Sequence, residues 1–378
     1  MNRRKVLAAG VTLSVAGCLG RDGPDSPSDL IERALDRRAR LRSLSAARNV
    51  TIETEGETVE RTERVHQRPP AATRLEVLGS TDPTTPEGAV TVRNRTTRWD
   101  YDPVMESVMK RHHPNRIVAD RTRLVLEGLL AEHDLTLEGT DEIDGRTAHR
   151  ILAEPIGDDV MGASINVAVG GDEFVFPLRG LSSDDLEAAE VTRTVWIDDA
   201  ETHPIGERDV VTVDDGVRHR LTFAFADLAI DEGLPSGTFR FEPPEEAEVR
   251  TRGTEPTGVF ETAKEAETST PYSLPRPDVP EPHGLDRVTV VEPRDDVMAA
   301  TLWYVHPERA EREFYVEVRN ERRFNEDVLE EMTIDGRTAY RRDGRIDSLF
   351  WTCDGLSYEV SSPRGDHPIA EIAASIEC

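Results

Sequence analysis

Apolar residues first recur at helical spacing. Leu30, Ile31, Ala34, Leu35, Leu41 and Leu44 form one stripe with Arg and Asp between them, which predicts a helix ending near 43–45. Ser26-Pro27-Ser28-Asp29 gives it a start: a serine cap, proline at the first helical position and an acid three residues after the cap. The period then changes to two. Segments 49–54, 57–66, 72–78 and 89–101 are rich in Thr, Val and Arg, and Pro69-Pro70 and Pro83 break them as successive antiparallel strands would be broken. Helices are expected at 105–111 and at 121–132, the second capped by Asp120.

Strands resume at 135–137 and 147–152, joined through Ile143-Asp144-Gly145-Arg146, where glycine accepts the left-handed backbone of a tight hairpin turn. Further strands are expected at 190–197, 204–213, 217–226 and 238–241. Many strands in sequence with few helices predict an α+β fold, a large curved antiparallel sheet (half-barrel) covered by a few helices, over residues 28–250. Residues 251–287 contain Pro256, Pro271, Pro275, Pro277, Pro280 and Pro282 and read as a semi-rigid linker. Strands at 288–291, 300–305, 313–319, 332–341 and 349–360 follow. A closing amphipathic helix (Ile369, Ile372, Ala373, Ile376, with Pro368 at its start) completes a second, smaller α+β domain over 288–378. The run Ile334-Asp335-Gly336-Arg337-Thr338-Ala339 repeats Ile143 to Ala148, but six residues around a common turn do not make a repeat architecture.

The first eighteen residues are an export signal. Arg3, Arg4 and Lys5 make a positive start, and residues 6–16 form an apolar run too short to span a membrane. The paired Arg3 and Arg4 match the twin-arginine export pattern, although Asn2 and Val6 stand where Ser or Thr and Phe are usual. Val15-Ala16-Gly17-Cys18 reads as a lipobox, which makes Cys18 the lipid-attachment residue. One chain of about fourteen carbons anchors only marginally, whereas a two-chain lipid holds firmly. Residues 19–27 form a flexible tether, so the expected location is the extracellular face of the cell membrane.

Charge narrows the partners. The chain has 378 residues, 74 acidic and 46 basic, for a formal charge of −28. That surface repels phosphate backbones and excludes a nucleic-acid role. Lysine occurs only at Lys5, Lys110 and Lys264, so arginine supplies the remaining cations. Abundant carboxylates with little lysine suit molar salt, where the Debye length falls to about 3 Å, as in a salt-loving archaeon. The scattered acids are read as a solvated face, with no metal and no cofactor expected.

Chemical motifs are few. No phosphate loop, His-Glu-x-x-His, Cys-x-x-Cys or Gly-x-Ser-x-Gly occurs, so no catalytic residue is assigned and an enzyme is not expected. His112 and His113 point apart on any regular element and are read as surface, with His133 downstream. With Cys18 lipidated, Cys353 and Cys378 remain as an even pair outside the cytoplasm and favour a disulfide, worth about 3.5 kcal/mol in the chain-entropy picture.

Four pieces in order carry a resemblance. They are Arg98-Trp99-Asp100-Tyr101-Asp102-Pro103, then Trp196-Ile197-Asp198 with His203-Pro204-Ile205. Leu221 to Leu228 (LTFAFADL) and Gly237 to Pro244 (GTFRFEPP) follow. Together they resemble the LolA-type lipoprotein-carrier superfamily across residues 28–250. The resemblance implies a half-open barrel with a helical lid and an apolar cavity for lipid or lipoprotein chains, acyl or isoprenoid. Leu30, Leu41, Leu44, Trp99, Tyr101, Trp196, Leu221, Phe223 and Phe225 are the candidate cavity residues. Each of them also suits an ordinary core. A tether at Cys18 departs from a shuttling carrier and points to the anchored members.

The smaller domain resembles a domain of unknown function in bacterial envelope and sporulation proteins. The matching residues are Ala266 with 271–282, Ile334-Asp335-Gly336, Leu349-Phe350-Trp351 with Gly355 and Tyr358, and 369–376. Two functions follow: a lipid-anchored binder of lipid chains, or an envelope sensor or interaction module that contacts a membrane protein without transferring lipid.

Overall fold

The computed structural model describes residues 26–362 and 367–377, apart from 55, 116–119, 157–163, 170–171, 178–188, 215, 308 and 345. Residues 1–25, with the expected export signal and Cys18, and Cys378 lie outside the described residues.

Helix α1 (Pro27–Arg40) begins as its sequence dictates. Ser26 Oγ accepts the Asp29 amide at 3.1 Å, and the Asp29 carboxylate accepts the Ser26 amide at 3.3 Å. Arg37, Arg38 and Arg40 place cations on its C-terminal end. The helix stops at Arg40, so Leu41 and Leu44 are not part of its stripe: Leu41 takes extended backbone, and Leu44 opens the first strand.

The first sheet is built from β1 (Leu44–Thr54), β2 (Glu57–Arg68), β3 (Ala72–Ser80), β4 (Val90–Arg93), β5 (Thr97–Asp102), β6 (Ser107–His112), β7 (His133–Ile143) and β8 (Arg146–Pro155). A separate two-stranded ribbon, β9 (Ser164–Val169) and β10 (Asp172–Pro177), interrupts the series. Strands β11 (Glu190–Asp198), β12 (Pro204–Val213), β13 (Gly216–Ile230) and β14 (Glu248–Arg252) complete the first sheet. Its twelve strands run in the order β14-β6-β5-β4-β3-β2-β1-β13-β12-β11-β8-β7. Every pairing is antiparallel except that of β14 with β6. The β7–β8 hairpin turns through Asp144 (φ 48) and Gly145 (φ 72), two left-handed residues as a tight primed turn requires.

Two local expectations fail here. Residues 105–111 form no helix, because the Asp102 carboxylate accepts the amides of Val104 (2.9 Å) and Met105 (3.0 Å) and turns the chain directly into β6. Residues 238–241 form a turn rather than a strand. Thr238 Oγ1 donates to the Pro235 carbonyl at 2.7 Å, and the Arg240 amide donates to the Gly237 carbonyl at 2.8 Å.

The second sheet comprises β15 (Pro256–Phe260), β16 (Gly284–Arg294), β17 (Val297–His306), β18 (Arg309–Arg319), β19 (Glu330–Ile334), β20 (Arg337–Arg342), β21 (Asp347–Cys353) and β22 (Leu356–Ser362). Its order is β15-β16-β17-β18-β22-β21-β20-β19, antiparallel throughout. The proline-rich segment is not a spacer. It supplies β15, the short helix α3 (Ala263–Ala266) and the buried Leu274 to the second core. Together with α4 (Ile369–Ala374), these pieces cover the face formed by Val288, Leu302, Phe314, Val316 and Val360. Cys353, at the end of β21, is disulfide-bonded.

Candidate binding sites

Register decides what the first sheet presents to its helices, because residues directly opposite one another share a face. One row runs Ile151, Val195, Glu207, Phe223, Val50 and Arg61 across β8, β11, β12, β13, β1 and β2. The neighbouring rows on that face bring in Arg193, Asp209 and Leu221 on one side and Phe225, Arg48 and Glu63 on the other. The face under the helices is therefore two phenylalanines between buried ion clusters. Glu63 accepts from Arg48 Nε at 2.6 Å and from Arg61 Nε at 2.5 Å, with Arg48 fully buried. Arg193 donates to Asp209 at 2.7 Å and lies 3.1 Å from Glu207.

Helix α2 (Arg121–Glu132) sits over this face, capped by the Asp120 carboxylate on the Arg123 amide at 3.3 Å. The same carboxylate accepts from Arg38 Nε of α1 at 2.8 Å, while Arg38 Nη1 donates to Gln67 of β2 at 3.1 Å. One guanidinium thus ties α1, α2 and the sheet together. Between α2 and the sheet is a slot of about 30 Å³ lined by Val125, Leu126, Val195, Phe223 and Phe225, with Gln67, Thr122, His203 and Glu207 as its polar members. That volume is about a single water molecule's share of the liquid. Gln67 Nε2, His203 Nδ1 and Glu207 Oε1 have no hydrogen-bond partner.

Burial sets the charge states there. Desolvation, with Arg38 and Arg37 nearby, pushes His203 down to about 3, so its imidazole is neutral. Desolvation outweighs Arg193 and, with Asp209 beside it, pushes Glu207 up to about 8.

The nine candidate cavity residues divide. Leu30 packs with Ile31, Leu126, Leu129, Ile151 and Ile197 beneath the helix pair. Leu41, Leu44, Trp196, Leu221, Phe223 and Phe225 belong to a second cluster. Strand alternation turns Trp196 to the face opposite Val195, where its indole donates to Asp141 at 2.8 Å. A Cβ on the paired Gly206 would lie 3.3 Å from that ring, so glycine is what allows the approach. Trp99 and Tyr101 also lie on the other face, in rows with Val92 and Val108, and Tyr101 packs on Phe241 at 5.8 Å. These three aromatics do not face the slot. His112 is a further correction: it is buried on β6 rather than on the surface, because β14 pairs alongside and Gly253 packs against its carbonyl. His133 binds the Gly128 carbonyl at 3.3 Å, and no metal-holding group of three or more His, Cys, Asp or Glu occurs among the described residues.

A far larger opening, about 1170 Å³, lies between the two sheets. It is walled by Pro69, Pro70, Phe239 and Phe241 of the first unit and by Val259 and Arg287 of the second. Arg74 holds the 235–242 loop in place by donating to the carbonyls of Thr238 (3.4 Å) and Arg240 (3.2 Å). Arg95 bridges the units, 3.4 Å from Glu313 and 3.7 Å from Asp286. The Gly237–Pro244 piece supplies one wall, but the sequence did not point to a cleft here, because the lining comes from five separate stretches of chain.

No family model and no curated protein matches the chain. Solved structures do match. The MucA/MucB complex of Pseudomonas aeruginosa aligns over 93% of this chain and 98% of its own at 14% identity, with a TM-score of 0.33. The LolA superfamily protein of Nitrosomonas europaea aligns over 57% of this chain and 98% of its own at 9% identity and a TM-score of 0.26. Lipoprotein LppX of Mycobacterium tuberculosis aligns over 55% and 96% at 13% identity and a TM-score of 0.31. At these scores no function passes from those proteins to this one.

Proposed function

We propose that this chain is an exported protein, held at the outer face of the membrane by a lipid on Cys18, that binds acyl or isoprenoid chains beneath the α1–α2 cover. The observation that carries the reading is the slot where Phe223 and Phe225 meet Val125 and Leu126 of α2. Each methylene buried there gains about 0.8 kcal/mol, which is the whole driving force available to a hydrocarbon ligand. Because the slot is filled to about 30 Å³, loading requires α2 to lift, and the Arg38–Asp120 pair is the tie that must yield. The protein is read as a binder, not an enzyme.

Native mass spectrometry of protein expressed in molar salt tests this. Lipid is expected on the wild-type chain and absent from Phe223→Asp. A wild-type chain that neither co-purifies with lipid nor takes it up after delipidation overturns the reading. The wide cleft between the sheets favours a second function, an envelope sensor or interaction module, which would show partner capture with no lipid uptake.

A further inference from the structure

The cleft between the sheets gathers five guanidiniums, Arg68, Arg74, Arg95, Arg240 and Arg287, and Glu242 is the one carboxylate among its lining residues. The chain as a whole carries a formal charge of −28, so this local balance runs against the rest of the surface. Three of the five have partners: Arg74 pairs with Glu76, and Arg95 and Arg287 with Asp286 and Glu313. Arg68 and Arg240 are exposed and make no ion pair among the described residues; Arg68 lies over the Phe239 ring at 5.3 Å. Arg287 is the unusual member. It is 5% exposed, stacked on Trp303 at 4.5 Å, and its Nε and Nη2 make no hydrogen bond. Burial and the nearby Arg95 hold its pKa below the usual guanidinium value, against the pull of Glu313 and Asp286.

We propose that this cleft binds a phosphoester group, its oxygens taken by the exposed Arg68 and Arg240 at the rim, with the buried positive charge of Arg287 behind them adding to the field. A carboxylate has two oxygens and is satisfied by one guanidinium fork, whereas a phosphoryl group offers enough oxygens for cations on separate elements. Phe239, Phe241 and Val259 on the walls favour an ester with an organic part over inorganic phosphate. The phosphoester belongs either to a lipid headgroup or to a soluble molecule. The inference uses none of the residues of the α2 slot and stands if lipid-chain binding fails.

The test uses the full chain with Cys18→Ser, which removes the anchor, in molar potassium chloride, where chloride competes at every arginine. Glycerol phosphate is titrated by calorimetry. Co-sedimentation compares vesicles of phosphatidylglycerol with vesicles of an uncharged glycolipid. Saturable binding is expected to one phosphoester probe and to no uncharged vesicle, weakened about tenfold or more by Arg68→Glu/Arg240→Glu, each substitution removing a charge-assisted contact. These two residues are exposed, so circular dichroism should show the variant folded; Arg287→Gln is the companion for the buried charge. Glycerol phosphate binding identifies a soluble ester as sufficient. Vesicle binding without it identifies a headgroup held together with its chains. No binding of either probe, or binding that Arg68→Glu/Arg240→Glu leaves unchanged, overturns the proposal.

Discussion

The slot under α2 and the cleft between the sheets are both lined by aromatic and charged residues, yet they solve opposite problems. Beside the slot the buried charges are paired: Arg48 and Arg61 with Glu63 on one side of the phenylalanines, Arg193 with Asp209 on the other. The result is a small volume of about 30 Å³. In the cleft the aromatics Phe239 and Phe241 are half-buried, two arginines stand unpaired among the described residues, and the volume is about 1170 Å³. The same side-chain types make a structural core where they are paired and a recognition surface where they are not.

The contrast breaks most visibly under mutation. Glu63→Gln should cost about 3–5 kcal/mol in denaturant unfolding, because it removes the buried carboxylate that both Arg48 and Arg61 contact. Asp120→Ala removes the cap of α2 and the anchor of Arg38; the cap alone is worth about 1 kcal/mol. It should also raise hydrogen exchange in α2 above that of the sheet. Arg68→Glu/Arg240→Glu at the cleft rim should leave stability within about 0.5 kcal/mol of wild type, as exposed substitutions do. If the rim variant unfolds the protein as Glu63→Gln does, the distinction between the two regions is wrong.

Acidity sharpens the picture of the slot. Glu207 binds its proton in the folded state up to about 8 against 4.5 when unfolded, so it favours the fold at low pH and that contribution is lost as pH rises toward 8. His203 has the opposite slope: its folded value of about 3 lies below 6.5, so stability falls as pH drops from 6.5. Of these two, only Glu207 still changes its protonation above pH 6.5, and the buried Glu317 carboxyl, also raised by desolvation, adds a slope of the same sign. Glu207→Gln should therefore make the decline in melting temperature between pH 6.5 and 8 shallower, while leaving in place the acid limb to which His203, His66, His112 and His219 contribute.

Much of the frame was legible in the sequence. The Ser26 cap, the Asp144-Gly145 turn and the Asp120-capped helix are local signals, and each element forms where those residues place it. The α+β character with large antiparallel sheets followed from the count and order of strands. The site was not legible in the same way. Alternation names two faces but not which faces inward when charged residues occupy both, and nothing local marks Arg48, Arg61 and Arg193 as the residues that lie under the helices. Trp99 and Trp196 read as cavity residues for the same reason, being apolar on the wrong alternate. Prolines in 251–287 suggested a spacer, yet Leu274 and Ala266 are core residues, because proline limits backbone hydrogen bonding but not side-chain burial. The cleft arginines carry no local signal at all; only tertiary packing brings Arg68 and Arg287 to one opening.

The central claim, that hydrocarbon enters beneath α2, is tested most directly by filling the slot. Val125→Phe adds bulk from the helix side without burying a charge. In native mass spectra the wild-type chain should carry one bound lipid, and Val125→Phe should be folded and empty. Equal lipid occupancy in the two proteins would contradict the account.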